Sequence, residues 1–357
     1  MRVLLLSRYA RLGASSRLRS HQYLPYLNQS GFDVTVAPLF GDDYVHGLYS
    51  GNTSKLAVLI AYFARLRLIF KARQFDLVWL EYEMLPWLPS WIELALLPKN
   101  MRLVVDYDDA VFHRYDRHRV SLVRKLLGRK IDAVMRRADL VLVGNDYLGE
   151  RAKQAGARRV ELLYTVVDAS RYAVSEKDDA PPVTIGWIGQ PSTAKYLSQL
   201  VPVLKKMIAK HAVRVVAIGP KPAQFQQLPV EVRPWSEGTE AAEIQQFDIG
   251  IMPLSDSLWE RGKCGYKLIQ YMACGKPVVA TPVGVNKVIV RQGVNGFLAN
   301  TEAEWCDAID VLCQDAELRK RMGDEGRKIM EQNYSLQVSA PRLAELLCSA
   351  VNSQCAD

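Results

Sequence analysis

Cysteine is missing from the first 263 residues, and none of the six cysteines in this 357-residue chain belongs to a Cys-x-x-Cys pair. This distribution excludes a disulfide scaffold and indicates reduced thiols in a cytoplasmic protein. No apolar run reaches the roughly 20 residues that a membrane-spanning helix needs. A strand pattern that starts at residue 2 gives no reason to expect a signal peptide. Internal repeats and low-complexity tracts are also missing.

The composition is that of a globular protein. It is 49% hydrophobic and 24% charged, and the length fits two domains that each bury a core. The net charge of +8 is unevenly placed: residues 1–170 hold 25 Lys and Arg against 17 Asp and Glu, whereas residues 171–357 hold 21 of each. This asymmetry favours an anionic partner for the N-terminal half, such as a membrane surface, a phosphorylated acceptor or nucleic acid.

Short apolar runs alternate with helical patterns along the whole chain. Such alternation predicts parallel, doubly wound sheets with helices on both faces. We expect a first domain over residues 1–168, a charged linker over 169–182, a second domain over 183–335, and a last helix over 336–357 that packs back on the first domain.

One stretch, residues 262–281, combines a glycine loop, a short helix, a tight turn and a buried strand. Leu268, Ile269 and Met272 form one apolar helix face, and Gly275 and Pro277 are typical stop signals. The loop in front carries Lys263, Gly265 and Lys267. Free amides at a helix start, together with two ammonium groups, suit a diphosphate.

This stretch resembles the nucleotide-sugar signature of family 4 glycosyltransferases, retaining enzymes of the GT-B fold. Residues 272–278 match the Met-Ala-x-Gly-x-Pro-Val part of its second half, whereas the two signature glutamates are replaced by Gly262 and Gln270 and the phenylalanine by Cys264. The variant is similar to a branch from polysaccharide and lipopolysaccharide synthesis. The resemblance implies two Rossmann-like domains with a deep cleft between them, and a ribose contact for Gln270.

A second phosphate-binding pattern follows the strand expected at 183–188. Gly189 ends the strand, Ser192 and Thr193 can cap the next helix, and Lys195 lies beside it, which makes a phosphate cradle. It is not a Walker motif. The family often has an arginine where this chain has Gln190. The resemblance further places Trp235 near the base and lets Glu260 substitute for the first glutamate.

The N-terminal half also supplies candidate substrate-binding residues. A glycine loop around Gly13 precedes a helix that Ser15 or Ser16 can cap. Arg17 and Arg19 indicate either an anionic ligand or a solvated face. Asp106-Tyr107-Asp108-Asp109 could hold a metal, but we reject this reading because the motif lies in the half opposite the nucleotide signature. In related enzymes a His-Asp pair at this strand end lines the sugar site.

Together these arguments define the candidate site. No metal ligand and no cofactor are expected beyond the donor substrate. The catalytic set is Lys195, Lys267, Asp108, Asp109 and His113. The substrate-binding set is Gly13, Ala14, Arg17, Gly189, Gln190, Ser192, Trp235, Glu260, Lys263, Cys264, Gly265 and Gln270.

Basic residues mark two helices expected over 55–73 and 119–137. They favour peripheral attachment to anionic lipid on the inner face of the cell membrane, although a solvated face explains such runs as well. The intervening Trp87 and Trp91 are expected to pack between helix and sheet, with a membrane-interface patch as the alternative. No nucleic-acid reader motif is present.

The leading hypothesis is a retaining, metal-independent glycosyltransferase that transfers a hexosyl or related group. Its donor would be a nucleoside-diphosphate sugar and its acceptor a glycan or lipid-linked hydroxyl in cell-surface polysaccharide or lipopolysaccharide synthesis. Two alternatives stay open. One is a catalytically degenerate GT-B protein that binds a nucleotide or a partner glycosyltransferase. The other is a nucleotide-sugar 2-epimerase.

Overall fold

A computed structural model describes residues 1–52, 54–174, 181–226 and 228–352. Part of the linker expected over 169–182, namely residues 175–180, lies outside the described residues. The chain divides into two compact units. Unit 1 comprises Met1–Thr165 and the C-terminal segment that starts at Ser339, and unit 2 comprises Val166–Val338.

Unit 1 is built on a six-stranded parallel sheet of order β2-β1-β3-β4-β5-β6. β3 and β5 are buried along their whole length, as expected for strands covered on both faces. The strands are β1 (Arg2–Leu6), β2 (Asp33–Val36), β3 (Leu77–Glu81), β4 (Arg102–Tyr107), β5 (Leu140–Val143) and β6 (Val160–Leu162).

The helices of unit 1 flank this sheet. Asn145, a residue type common at helix starts, caps the helix that begins at Asp146 by accepting a hydrogen bond from the Leu148 amide at 3.0 Å. The helices are α1 (Ala14–Arg19), α2 (Leu24–Gln29), α3 (Asp42–Ser50), α4 (Lys55–Phe70), α5 (Ser90–Leu96), α6 (His113–Asp116), α7 (Ser121–Leu127), α8 (Lys130–Arg137) and α9 (Asp146–Gln154), with 3₁₀ turns at His21–Tyr23 and Ala72–Gln74.

Unit 2 repeats the architecture with a parallel sheet of order β12-β11-β10-β7-β8-β9. The prediction of two doubly wound parallel sheets is therefore confirmed. The strands are β7 (Val183–Ile188), β8 (Val213–Ile218), β9 (Val230–Arg233), β10 (Ile249–Met252), β11 (Val278–Ala280) and β12 (Gly296–Leu298).

The helices of unit 2 include several with side-chain caps. Thr301 and Glu304 form a capping box at the start of α16, which satisfies amides that have no partner inside the helix. The helices are α10 (Ala194–Ser198), α11 (Val201–Lys210), α12 (Glu240–Gln245), α13 (Leu258–Arg261), α14 (Tyr266–Ala273), α15 (Asn286–Ile289), α16 (Glu302–Gln314) and α17 (Ala316–Asn333), with 3₁₀ turns at Ala169–Arg171, Pro191–Thr193 and Pro222–Phe225.

The last helix, α18 (Leu336–Asn352), contributes its residues from Ser339 onward to unit 1. There the Ser349 hydroxyl accepts a hydrogen bond from Arg159 Nη1 at 2.8 Å, and Arg342 lies 3.5 Å from the Glu161 carboxylate. Among the described residues, none of the helices has the length and apolar character needed to cross a bilayer.

Candidate functional site

The strand order of unit 2 reverses between β7 and β10. From β7 the chain runs outward through β8 and β9, and then returns to add β10, β11 and β12 on the other side. Open parallel sheets bind ligands beyond the carboxyl ends of the strands at such a reversal. The segments that follow β7 and β10 hold most of the predicted donor residues, namely Gly189, Gln190, Ser192, Glu260, Lys263, Cys264 and Gly265.

Gly189 directly follows β7, at a point where the structure has no room for a side chain. A Cβ added there would lie 2.5 Å from Trp187 Cη2 and 2.8 Å from Lys267 Nζ. The ammonium group of Lys267 therefore lies directly against the backbone at the carboxyl end of β7. The following Pro191–Thr193 turn is 3₁₀, and Thr193 Oγ1 donates to the Gln190 carbonyl at 2.9 Å instead of capping a helix.

Lys267 occupies the first turn of α14, and its Nζ lies 4.3 Å from the centroid of the Trp187 ring. This is a cation–π contact. Burial, with a smaller contribution from the Lys263 ammonium, lowers the pKa of Lys267 to about 7. Within the described ranges no carboxylate contributes to this shift. A lysine that is held among apolar groups beside another cation is suited to receive an anion.

Gly265 precedes α14 in the left-handed conformation, with φ 67° and ψ 17°. A Cβ there would also lie 2.3 Å from Ile289 Cδ1, so that both the backbone and the space require glycine. The turn directs the chain into α14, whose first N–H groups have no partner inside the helix. These amides, the helix dipole and Lys267 all favour an anion in front of the start of α14.

Glu260 belongs to α13 and is buried. Its carboxylate accepts hydrogen bonds from Tyr196 Oη and Ser257 Oγ. Burial acts to raise the pKa of Glu260, but these hydrogen bonds outweigh it and the net pKa is lowered. Lys195 is exposed and lies with Nζ 5.0 Å from the Tyr196 ring centroid. The predicted contacts of Glu260 with the donor sugar and of Lys195 with phosphate stay predictions.

Gln270 and Trp235 are linked by hydrogen bonds through two residues that the sequence analysis did not identify. Gln270 Nε2 donates to Tyr172 Oη at 3.0 Å, and Tyr172 Oη donates to Glu240 Oε1 at 2.9 Å. Trp235 Nε1 donates to the other carboxylate oxygen of Glu240 at 2.9 Å. Gln270, Tyr172 and Glu240 are all buried. No sequence pattern marks Tyr172 or Glu240, because their roles depend on contacts between distant segments.

We expect Gln270→Glu, which restores the family glutamate, to destabilise unit 2. A carboxylate at this position loses the amide donor and competes with Glu240 for the single phenolic proton of Tyr172. The cost of such an unsatisfied buried group is about 1–3 kcal/mol of unfolding free energy. Denaturant unfolding measures it, with Gln199→Glu on the exposed surface as the matched control. An unfolding free energy unchanged from the parent would contradict this account of the network.

In unit 1 the strand order reverses between β1 and β3. Gly13 is the N-cap of α1, and Ala14 is its first residue. The prediction that Ser15 or Ser16 caps this helix is wrong, because no side chain caps it. Ser16 Oγ instead donates to Glu81 Oε2 at 2.6 Å and accepts from the Tyr9 amide at 3.0 Å, which ties α1 to the end of β3.

The two arginines of α1 are buried, which overturns the solvated-face interpretation. Arg17 Nη1 donates to the Arg11 carbonyl at 3.3 Å. Arg19 forms an ion pair with Asp106 at 2.6 Å and donates to the Leu163 carbonyl at 2.6 Å. The Arg19 guanidinium is thus fully engaged by groups inside unit 1. This pairing offsets the large cost of burying a charge.

Asp108, Asp109 and His113 follow β4 in one segment. Asp108 accepts a hydrogen bond from Tyr82 Oη, and Asp109 Oδ1 accepts from the Ala110 amide at 3.0 Å. Both ring nitrogens of His113 are engaged, Nδ1 with Asp116 Oδ1 and Nε2 with Tyr147 Oη, each at 2.8 Å. His113 is therefore not the plain surface histidine that is commonest in proteins. In the described ranges no group of three or more His, Cys, Asp or Glu is arranged to hold a metal ion.

The family model "Glycosyl transferases group 1" matches residues 182–315, the part of unit 2 that contains the β7 and β10 loops, Lys267 and Gln270. This segment is a glycosyl transferases group 1 domain. The match begins just before β7 and ends after α16. It covers every candidate residue that we assigned to the second half of the chain, from Gly189 to Gln270.

Curated relatives match parts of this chain. D-inositol 3-phosphate glycosyltransferase of Corynebacterium efficiens is 33% identical over 93 residues, which are 26% of this chain and 22% of that protein. Putative teichuronic acid biosynthesis glycosyltransferase TuaH of Bacillus subtilis is 25% identical over 230 residues, 59% of this chain and 56% of that one. The chain thus spans about a fifth to just over half of these relatives, and their activities are not transferred by the match.

Solved structures show the fold over nearly the whole chain. Anabaena Alr3699/HepE in complex with UDP gives a TM-score of 0.74 at 17% identity and covers 98% of this chain and 100% of its own. Sucrose-phosphate synthase from Thermosynechococcus elongatus gives 0.75 at 13% identity, with coverage of 99% and 100%. The group 1 domain is therefore part of a chain with the GT-B fold.

Proposed function

We propose that the chain is a glycosyltransferase whose donor is a nucleoside-diphosphate sugar bound in the group 1 domain. The observation that carries this proposal is the position of Lys267. Its ammonium group lies at the strand-order reversal, against Gly189 and the Trp187 ring. Burial and Lys263 lower its pKa to about 7. A diphosphate would relieve both the burial cost and the repulsion between the two lysines.

The same groups account for catalysis. Negative charge develops on the leaving diphosphate as the glycosidic bond breaks, and fixed donors aimed at such charge usually supply the largest catalytic contribution. Lys267, Lys263, Lys195 and the amide at Gly265 would stabilise that charge without a metal ion. Asp108, Asp109 and His113 would orient the donor or acceptor sugar.

We propose a retaining reaction without a protein nucleophile. The acceptor hydroxyl attacks the anomeric carbon from the leaving-group face, the bond to the diphosphate oxygen breaks, and the departing phosphate takes the hydroxyl proton. The anomeric configuration of the product, read by NMR, tests this step: an inverted centre would refute it.

The relatives support a donor and an acceptor class. Anabaena Alr3699/HepE is solved in complex with UDP-glucose, and the TuaH relative is named for teichuronic acid biosynthesis. We infer that this chain transfers a hexosyl or related group to a glycan or lipid-linked hydroxyl during cell-surface polysaccharide or lipopolysaccharide synthesis. It would act in the cytoplasm, at the inner face of the cell membrane.

A thermal-shift titration with UDP, GDP, ADP, dTDP and CMP, each with and without magnesium, tests donor binding. A ligand at 100 times its dissociation constant should stabilise the protein by about 2.7 kcal/mol. We expect one nucleoside diphosphate to do so without magnesium. If none does, the degenerate, partner-binding alternative takes the place of the enzyme, an outcome that the missing signature glutamates would then explain.

A further inference from the structure

Helix α4 in unit 1 exposes apolar side chains instead of burying them. Five of them, Leu56, Leu59, Ile60, Phe63 and Phe70, are between 56% and 69% exposed. The side chains that α4 buries are those of Arg65 and Ile69. A helix that packs on a sheet normally places its apolar stripe against that sheet. The exposed side of α4 thus has the character of a surface that contacts something apolar.

The exposed apolar surface continues from α4 into two neighbouring segments. Tyr62 Oη of α4 donates to the Pro86 carbonyl at 2.6 Å, which brings the Trp87 segment beside this helix. The Trp87 ring in turn lies 5.7 Å from the His118 ring, just before α7. The expectation that both tryptophans pack away from solvent is wrong, because Trp87 is 48% and Trp91 71% exposed. Val120, Leu122 and Leu126, in and before α7, are exposed as well.

Positive charge borders this apolar surface. Residues 55–73 and 117–131 contain no aspartate or glutamate. The basic residues in these segments that are exposed are Lys55, Arg67, Lys71, Arg73, Arg117, Arg119, Arg124, Lys125 and Arg129. Apolar and tryptophan side chains set among lysines and arginines, without acidic residues, are the combination by which peripheral proteins bind the interface of anionic bilayers.

We propose that the α4–α7 face, made of α4, the Trp87–Trp91 segment and residues 117–129, inserts its apolar side chains into an anionic phospholipid bilayer. The arginines and lysines bind lipid phosphates while the apolar side chains enter the acyl boundary. This goes beyond the location at the inner membrane face in the proposed function, because the α4–α7 face is expected to hold through buried apolar area as well as through charge. It explains why apolar side chains of this size stand exposed together.

Co-sedimentation with phosphatidylcholine vesicles, with and without about 30% phosphatidylglycerol, tests the proposal on the full chain. The parent protein should sediment with the anionic vesicles. Raising the salt concentration should weaken this binding without abolishing it, because salt screens charge but not apolar insertion. Equal binding to purely neutral vesicles would overturn the inference that the bilayer must be anionic. No binding to either kind of vesicle would overturn the whole proposal.

Two variants separate the apolar and charged contributions. Leu59→Ser with Phe63→Ser and Leu122→Ser should weaken vesicle binding by at least about tenfold, since each side chain loses buried area. Val311→Ser with Val338→Ser, at exposed positions of unit 2, is the matched control and should bind like the parent. Arg67→Glu with Arg73→Glu and Lys125→Glu should bind weakly at low salt, whereas Lys320→Glu with Arg321→Glu should not differ from the parent.

Light scattering in the absence of vesicles tests whether a second copy of the chain, instead of a bilayer, covers the α4–α7 face. If the parent is a dimer that the serine variants dissociate, and vesicle binding is unchanged in them, the α4–α7 face joins two copies and the proposal fails. The nucleotide thermal shift is read on the same variants. Loss of vesicle binding with an intact nucleotide shift also shows that the variants are folded, so the two proposals succeed or fail separately.

Discussion

Replacing Lys267 with alanine should lower kcat/KM for sugar transfer by about 10²–10³-fold, the range found when a preorganised donor to developing charge is removed. The ammonium group lies against the Gly189 backbone and over the Trp187 ring, at the strand-order reversal where we propose that the diphosphate binds. Most of the effect should appear in kcat, because the charge on the diphosphate is greater in the transition state than in the bound substrate.

Two further variants distinguish lost charge from lost packing. Lys267→Met keeps an unbranched apolar chain on Trp187 and should be as inactive as the alanine variant. Lys205→Ala removes an exposed lysine of α11 in the same unit and should retain parental activity. Turnover near the parent level in Lys267→Met would remove Lys267 from the phosphate role and leave it a packing residue.

The affinity for the nucleoside diphosphate should fall as the pH rises above about 7. In the free protein burial and Lys263 lower the pKa of Lys267 to about 7, so the fraction that carries the ammonium declines above that pH. If the ligand binds only the charged form, Kd rises by about tenfold per pH unit and by about a hundredfold at pH 9. Below pH 7 Lys267 is charged and contributes no slope, although the terminal phosphate of the ligand gains a proton near pH 6.

Isothermal titration from pH 7 to 9 measures this dependence, and it should also show net proton uptake on binding, since the diphosphate restores the proton to Lys267. Lys267→Arg is the control, because a guanidinium stays charged across the whole range. Its Kd should be flat with pH even if its affinity is lower. If Kd depends on pH in the same way in the parent and in Lys267→Arg, the titrating group is not Lys267.

The regular elements could largely be predicted, because their signals are local. β7 has the bounds expected from the sequence, Val183–Ile188, and Asn145, a residue type common at helix starts, caps α9. The errors fall where apolar spacing continues through a break in the backbone. The single helix expected over 119–137 is two helices, α7 and α8, that separate at Gly128 and Arg129. Residues 194–210 likewise form two helices, α10 and α11, that separate at residues 199–200.

The candidate site likewise contains residues with a local sequence signal and residues that meet only in the folded chain. The Gly189 loop, Lys263, Gly265 and Lys267 could be named as candidates from the sequence, because a strand, a glycine and a helix start are a local pattern with a known preference for phosphate. The Gln270 network was not found, because Tyr172 and Glu240 lie 98 and 30 positions away in the chain and meet Gln270 only in the folded unit. Resemblance alone had assigned Gln270 to ribose.

The sequence by itself determined two parallel sheets, their glycine turns and a pair of lysines at a helix start, because strand burial, turn chemistry and capping depend on residues a few positions apart. The tertiary structure decided how these lysines act: contact with Trp187 and burial bring the pKa of Lys267 to about 7. It also decided that Arg19 pairs with Asp106 and that the apolar side of α4 faces outward. Charge state, pairing and exposure depend on which distant segments pack together, and residue spacing carries no information about that.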